Sequence, residues 1–318
     1  MGHFFHAVDV FFQHLAAVRW DFLGLALLCH LAKLLFRSYA WRAIVLAAYP
    51  DGKLKLRSAF GAYVAGVGVN SVVPARGGDV IKLYLVKQRI EGATYTTLAP
   101  TLIVETMLDF FVAGAMIVWA MVIGALPVHE VYARLPSVDW KFFFRHEKLT
   151  LILLAALLVG LIALFVWARM RWAEFKANVG RGFAILHDRS KLVWQVLFPQ
   201  AISWVLRLAS VFFFLEAFHV PGTIHNALLA QVVDSLSTLF PATPGGAGTK
   251  QGLIVFLFAG QAVSKSLLLA FSVGMNIATV VLNLALGLTA LLLMARTLSW
   301  RKLRTDASRE QAPAGGAE

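Results

Sequence analysis

The chain reads as an all-α integral membrane protein built from two inverted repeats, each carrying a re-entrant half-helix hairpin, with about five full spans in all. Three observations predict this. Of its 318 residues, 59% are hydrophobic and 14% charged, with a mean hydropathy of +0.73; about a quarter of an average globular chain is charged. Apolar runs of about 20 residues, the length a helix needs to cross a bilayer, recur along it. Two short motifs, PARGGDVIK at Pro74–Lys82 and PATPGGAGTK at Pro241–Lys250, say nearly the same thing, each after an apolar run too short to cross.

The first sixteen or so residues, with Phe4, Phe5, Phe11, Phe12 and Leu15, suit an interfacial helix and lack the basic leader of a signal peptide. Full spans are expected at about Asp21–Tyr49, Leu98–Leu126, Leu149–Ala168, Leu192–Phe218 and Leu267–Ala295. All should be helices, because a span must satisfy its own backbone hydrogen bonds and no barrel-like alternation is present. Half-helices at about Ala59–Val73 and Asp79–Arg89 flank the first motif. One membrane domain, 1–298, accounts for the chain: repeat one at about 20–126, a linking span at 149–168 and repeat two at about 192–297. A basic, polar, disordered cytoplasmic tail is expected over 299–318. The lone Cys29 excludes an internal disulfide and is read as a small apolar residue.

The formal charge of +12 is distributed as in a membrane protein, so no nucleic-acid partner is expected. Basic residues cluster at Arg37, Arg42, Lys53, Lys55 and Arg57, at Lys82, Lys87 and Arg89, in the central loop from Arg169 to Lys191, and beyond Arg296. If the segments around PARGG dip into the bilayer and return, all four clusters lie on one face, as the positive-inside rule favours. The C-terminal tail is then cytoplasmic. Three crossings separate the two motifs, so the second unit is inverted, as in many secondary transporters.

In each motif a proline and a Gly-Gly pair sit at the break, and a lysine follows four residues on: Gly77, Gly78 and Lys82, then Gly245, Gly246 and Lys250, with Gly248 between. Half-helix amides, the dipole and a lysine one turn in form an anion site suited to phosphate, to which Arg76 adds charge. The competing reading is a tight bend with lysines snorkelling to the interface. Carboxylates inside apolar spans are costly unless paired. Glu105 and Asp109 share a helix face and are read as partners of Arg76, Lys82 or a bound proton; Asp79, Arg207 and Asp234 join the substrate-site candidates. His30, Lys33 and Arg37 form either a polar stripe toward a cavity or, for the two cations, groups reaching the cytoplasmic headgroups. No catalytic residue, metal site or cofactor is expected.

Together, Trp41-Arg42, NSVVPARGGDVIKLYLV, the Glu105–Asp109 pattern and FPATPGGAGTKQG resemble, in order, the flippase-like transmembrane region of lysylphosphatidylglycerol synthases and its stand-alone bacterial and archaeal relatives. The resemblance covers about Arg37–Leu293. It implies movement of a lipid or lipid-linked headgroup between leaflets of the cytoplasmic membrane, without the aminoacyl-transfer domain of the fused members. Where the family often has Glu and Arg, this chain has Asp79 and Lys82; Thr106 and Gln251 replace an arginine and a glutamate. The expected function is a flippase or transporter for an anionic phospholipid or polyprenyl-phosphate-linked lipid. The alternatives are a small-anion transporter and a non-catalytic partner of a lipid-modifying enzyme or glycosyltransferase.

Overall fold

A computed structural model describes residues 17–73, 76–122, 179–239, 249–258 and 263–310. Among these, regular structure is helical throughout: α1 (Trp20–Ala48), α2 (Leu56–Asn70), α3 (Gly77–Lys87), α4 (Tyr95–Val122), α5 (Phe198–Ala217), α6 (Ile224–Leu239), α7 (Thr249–Leu257) and α8 (Lys265–Glu310). A short helical run from Arg189 leads through a π-helical stretch, Leu192–Leu197, into α5.

Four stretches are long and apolar enough to cross a membrane: Trp20–Ala48, Tyr95–Met116, Arg189–Ala217 and Lys265–Met294. They coincide with four of the five expected spans. The linking span Leu149–Ala168 and the amino-terminal interfacial segment 1–16 lie outside the described residues. Helix α8 continues past the expected start of the tail to Glu310. The residues there include Arg, Lys, Leu, Ala and Glu, all helix formers, and no glycine or proline breaks the ladder.

The half-helices behave differently from the spans. At 15 and 11 residues, α2 and α3 rise only about 22 and 17 Å, short of the roughly 30 Å hydrocarbon thickness. Helix α3 folds back along α2, and Gly66 meets Gly78 so closely that a Cβ built on Gly78 would lie 2.0 Å from the Gly66 carbonyl oxygen. Arg76, just before α3, adopts the left-handed region at φ 59°. The Asn70 side chain then caps α3: its Oδ1 accepts from the Gly78 amide at 2.7 Å and its Nδ2 donates to Asp79 at 3.2 Å. Gly78→Ala is expected to force the hairpin apart and cost about 3 kcal/mol or more of stability, as overpacking does when backbone is the obstacle; a melting curve of the purified protein checks it.

Three apolar cores line α1 among the described residues, and the two larger ones are stacked end to end along it. One joins Phe214, Phe218, Leu229, Ile254 and Phe271 with the amino-terminal part of α1 around Ala26. The other joins Trp41, Tyr63, Leu83, Val86 and Leu98 with the Ala290–Met294 end of the described α8 side chains. Both α1 and α8 run through the two cores. Where α2 crosses α8 the backbones touch, and a Cβ on Gly68 would meet the Asn283 carbonyl oxygen at 2.7 Å and the Gly287 Cα at 2.9 Å.

Candidate functional site

Between the two cores the side chains change character. His30, Lys33 and Arg37 occupy the middle of α1, Glu105 and Asp109 the middle of α4, and Asn283 the middle of the apolar part of α8. Ionisable groups at such depth in an apolar span persist only when paired, hydrated or turned inward. Here they form two ionic networks and a polar seam.

The first network centres on Glu105, which is 6% exposed. Its Oε2 accepts from Lys82 Nζ at 2.7 Å, and its Oε1 accepts from the Tyr63 hydroxyl at 2.7 Å and from Arg37 Nη2 at 3.2 Å. Arg37 also donates from Nε to Tyr63 at 2.6 Å and pairs closely with Asp109. The Lys82 ammonium, at 4% exposure, stands over the rings of Trp41 and Tyr63 at 4.0 and 4.1 Å. This aromatic floor stabilises a desolvated cation. Asp109 additionally accepts from Gln200 Nε2 at 2.7 Å and from Trp204 Nε1 at 3.3 Å.

The second network is smaller. Asp234 accepts from Arg207 Nη2 at 2.6 Å on one oxygen and from Lys250 Nζ at 2.5 Å on the other. The Arg207 guanidinium faces the Trp204 ring at 4.6 Å. Trp204 therefore touches both networks, with its N–H on Asp109 and its ring on Arg207. In the seam, His30 Nε2 meets Asn283 Oδ1 at 2.9 Å, Lys33 Nζ meets His30 Nδ1 at 3.2 Å, and Asn283 Nδ2 donates to Ser71 at 3.3 Å.

Of the residues singled out from sequence, the structure brings Lys82, Glu105 and Asp109 into the first network and Arg207, Asp234 and Lys250 into the second. Gly77 and Gly78 form the start of α3. Gly245, Gly246 and Gly248 lie outside the described residues. Arg76 departs from expectation: its partner is Asp79 at 2.9 Å, and its side chain is 63% exposed at the hairpin tip. It reaches neither Glu105 nor Asp109 because it precedes α3, whereas Lys82 lies one turn and more inside. Arg37 is the clearest addition. Of the two readings open for it, the headgroup-facing one is replaced by the inward one, since two carboxylates and a phenol hold it among α1, α2 and α4. Tyr63, Gln200, Trp204 and Asn283 were not legible as site residues. The carboxylate pair Glu105–Asp109, four residues apart, was the signal that a second cation had to face them.

Thr106, one of the family departures, lies away from both networks. It lines an open groove of about 590 Å³ with Leu102, Ile103, Met107, Phe110 and the Arg76–Asp79 pair.

These features define a multi-pass helical membrane protein with ionic networks set into its spans. The chain belongs to the family of the lysylphosphatidylglycerol synthase TM region, whose pattern it matches over residues 5–287. No curated protein and no solved structure matched it.

Proposed function

We propose that the chain moves an anionic phospholipid, or a lipid-linked phosphate headgroup, between the leaflets of a cytoplasmic membrane by alternating access. One observation carries the reading: a similar ionic cluster occurs twice. In each half, a lysine four residues after a Gly-Gly pair and an arginine from a preceding long helix share a carboxylate within the membrane domain, Lys82 and Arg37 on the buried Glu105 of α4, Lys250 and Arg207 on the half-buried Asp234 of α6. A duplicated, desolvated polar interior serves a pathway better than it serves stability, because burying ion pairs gains little over apolar packing.

In this reading α2–α3 and α6–α7 are the re-entrant hairpins of two inverted repeats, and the carboxyl-terminal end of α8 faces the cytoplasm. The carboxylates act as internal counter-ions that a headgroup phosphate exchanges with, so passage exchanges one ion pair for another. The acyl chains stay in lipid. No catalytic step is assigned to the chain, and membership of a lipid-handling family supports the substrate class.

The test is translocation of labelled lipids by the purified protein in vesicles, comparing phosphatidylglycerol, its aminoacylated form, a polyprenyl phosphate and a zwitterionic control. Headgroup-selective translocation is expected. Flux of soluble anions without lipid movement would replace the reading by a small-anion transporter. Inactivity of folded protein alone, with copurification of a glycosyltransferase or lipid-modifying enzyme, would replace it by a membrane partner.

A further inference from the structure

One charged pair, Arg76 and Asp79, lies outside both networks. Arg76 sits at the turn of the first hairpin in the left-handed region, at φ 59° and ψ 32°, which few residues with a side chain adopt and glycine adopts freely. A glycine would make this turn with less strain. The position holds an arginine at a backbone cost, and strain of this kind collects where a side chain has to be presented.

The way it is presented is specific. Asp79 meets the Arg76 Nε at 2.9 Å and is itself anchored by the Asn70 side chain that caps α3. The terminal edge of the guanidinium, Nη1 and Nη2, has no partner among the described residues, and the side chain is exposed. That edge is the planar fork with which arginine grips a phosphate bidentately. In a hairpin whose helices are too short to cross the hydrocarbon, an exposed guanidinium calls for water or an anion.

The Arg76–Asp79 pair walls one part of the 590 Å³ groove, and one face of α4 walls the rest. On that face Ala99, Ile103, Met107 and Phe111 follow one another at four-residue steps. The stripe rises about 18 Å, the order of one leaflet of a hydrocarbon layer roughly 30 Å thick, and the volume falls within the range of about 300–1,000 Å³ usual for small-molecule sites. An apolar trough with a free guanidinium fork in its wall matches an amphiphile, a hydrocarbon chain joined to an oxyanion. The geometry points to a lipid seat on this groove, in which one chain of a phosphate-bearing lipid lies along the Ala99–Phe111 face of α4 and Arg76 grips its phosphate. The seat is separate from the two buried networks. It deepens the proposed function and rests on that reading for what becomes of the lipid once it is held.

Photocrosslinking of the full-length protein in nanodiscs of a galactolipid, a matrix without phosphate, tests it. The probes are a trace of phosphatidylglycerol with a photoactivatable group on one acyl chain and the matching diacylglycerol, which has the chains without the phosphate. Adducts are mapped by peptide mass spectrometry. Phosphatidylglycerol is expected to label the segment from Ala99 to Phe111 at least about tenfold more than diacylglycerol does, the effect of one charge-assisted contact. Arg76→Gln should bring its labelling down to the diacylglycerol level. Arg76→Gly should do the same with a melting temperature no lower than that of wild type, because glycine relaxes the left-handed turn. Lys53→Met, a surface control, should leave labelling unchanged.

Equal labelling by the two probes overturns the seat, since the groove is then a plain lipid-facing surface, and so does the absence of adducts on α4. Phosphatidylglycerol labelling of Arg76→Gln or Arg76→Gly within about twofold of wild type also overturns it and leaves Arg76 as a part of the turn alone. Lipid translocation in the same preparations separates the two ideas. Translocation by wild type with Arg76-independent labelling would sink the seat and leave the transporter reading standing. Arg76-dependent labelling with no translocation would do the reverse.

Discussion

Glu105→Ala is expected to lower stability by about 3–5 kcal/mol, the cost of stranding one member of a buried ion pair. Glu105 is the acceptor for three donors, Lys82, Arg37 and Tyr63. Arg37 retains Asp109, so the stranded charge is Lys82, enclosed by Trp41 and Tyr63 with no route to water along a snorkelling path. The decisive comparison is the double variant Glu105→Gln/Lys82→Met. It removes both charges at nearly constant volume and should recover most of the loss, giving a coupling of about 1–3 kcal/mol. Denaturant or thermal unfolding of wild type, Glu105→Gln, Lys82→Met and the double variant in a fixed detergent measures it. Additive losses would show that Lys82 and Glu105 do not depend on one another in the folded protein. For the same reason, replacing Lys82 alone tests folding before it tests transport, and the paired change is the cleaner probe.

Asp234→Asn is expected to have a comparable effect through the same kind of excess, unpaired positive charge. It leaves Arg207 and Lys250, which had one carboxylate between them, without that partner. A loss of about 3–5 kcal/mol is expected, with partial recovery when Lys250→Met is added. Inorganic phosphate should raise the melting temperature of Asp234→Asn more than that of wild type, because a ligand bound only by the folded state stabilises it in proportion to its affinity. An equal phosphate response in the two proteins would separate Asp234 from any ligand. Trp204 gives the change a reach beyond its own network, since its ring faces Arg207 while its N–H serves Asp109.

Much of the architecture was legible because hydropathy alone decides which segments lie in lipid. Four of the five spans match candidate crossings, and the breaks around PARGG match the ends of α2 and α3. The carboxylates Glu105, Asp109 and Asp234 were also visible, since acidic residues inside apolar runs have few innocuous explanations. Their partners were not. Arg37 lies within the apolar run of the first span, where a snorkelling arginine and a buried one look alike; what separates them is the neighbouring helix, which the sequence does not orient. Arg76 shows the converse. It seemed the natural cation of the first tip, but its position before α3 aims it at Asp79, while the less conspicuous Lys82 turns inward. The seam residues His30 and Asn283 are 253 positions apart, and no local period connects them.

The crossing of Gly68 and Gly287 has a consequence for biosynthesis. The close face of the first hairpin is completed by the last span of the chain, so α2 and α3 wait for α8 before they can bury it. The roughly two hundred residues between them take on the order of 10 to 40 s to make at about 5–20 residues per second. During that interval the glycine face of α2 has no partner from α8. A chain cut between α4 and α5 would therefore yield no half able to mature alone, and the two pieces would have to be made together in one membrane to form the protein.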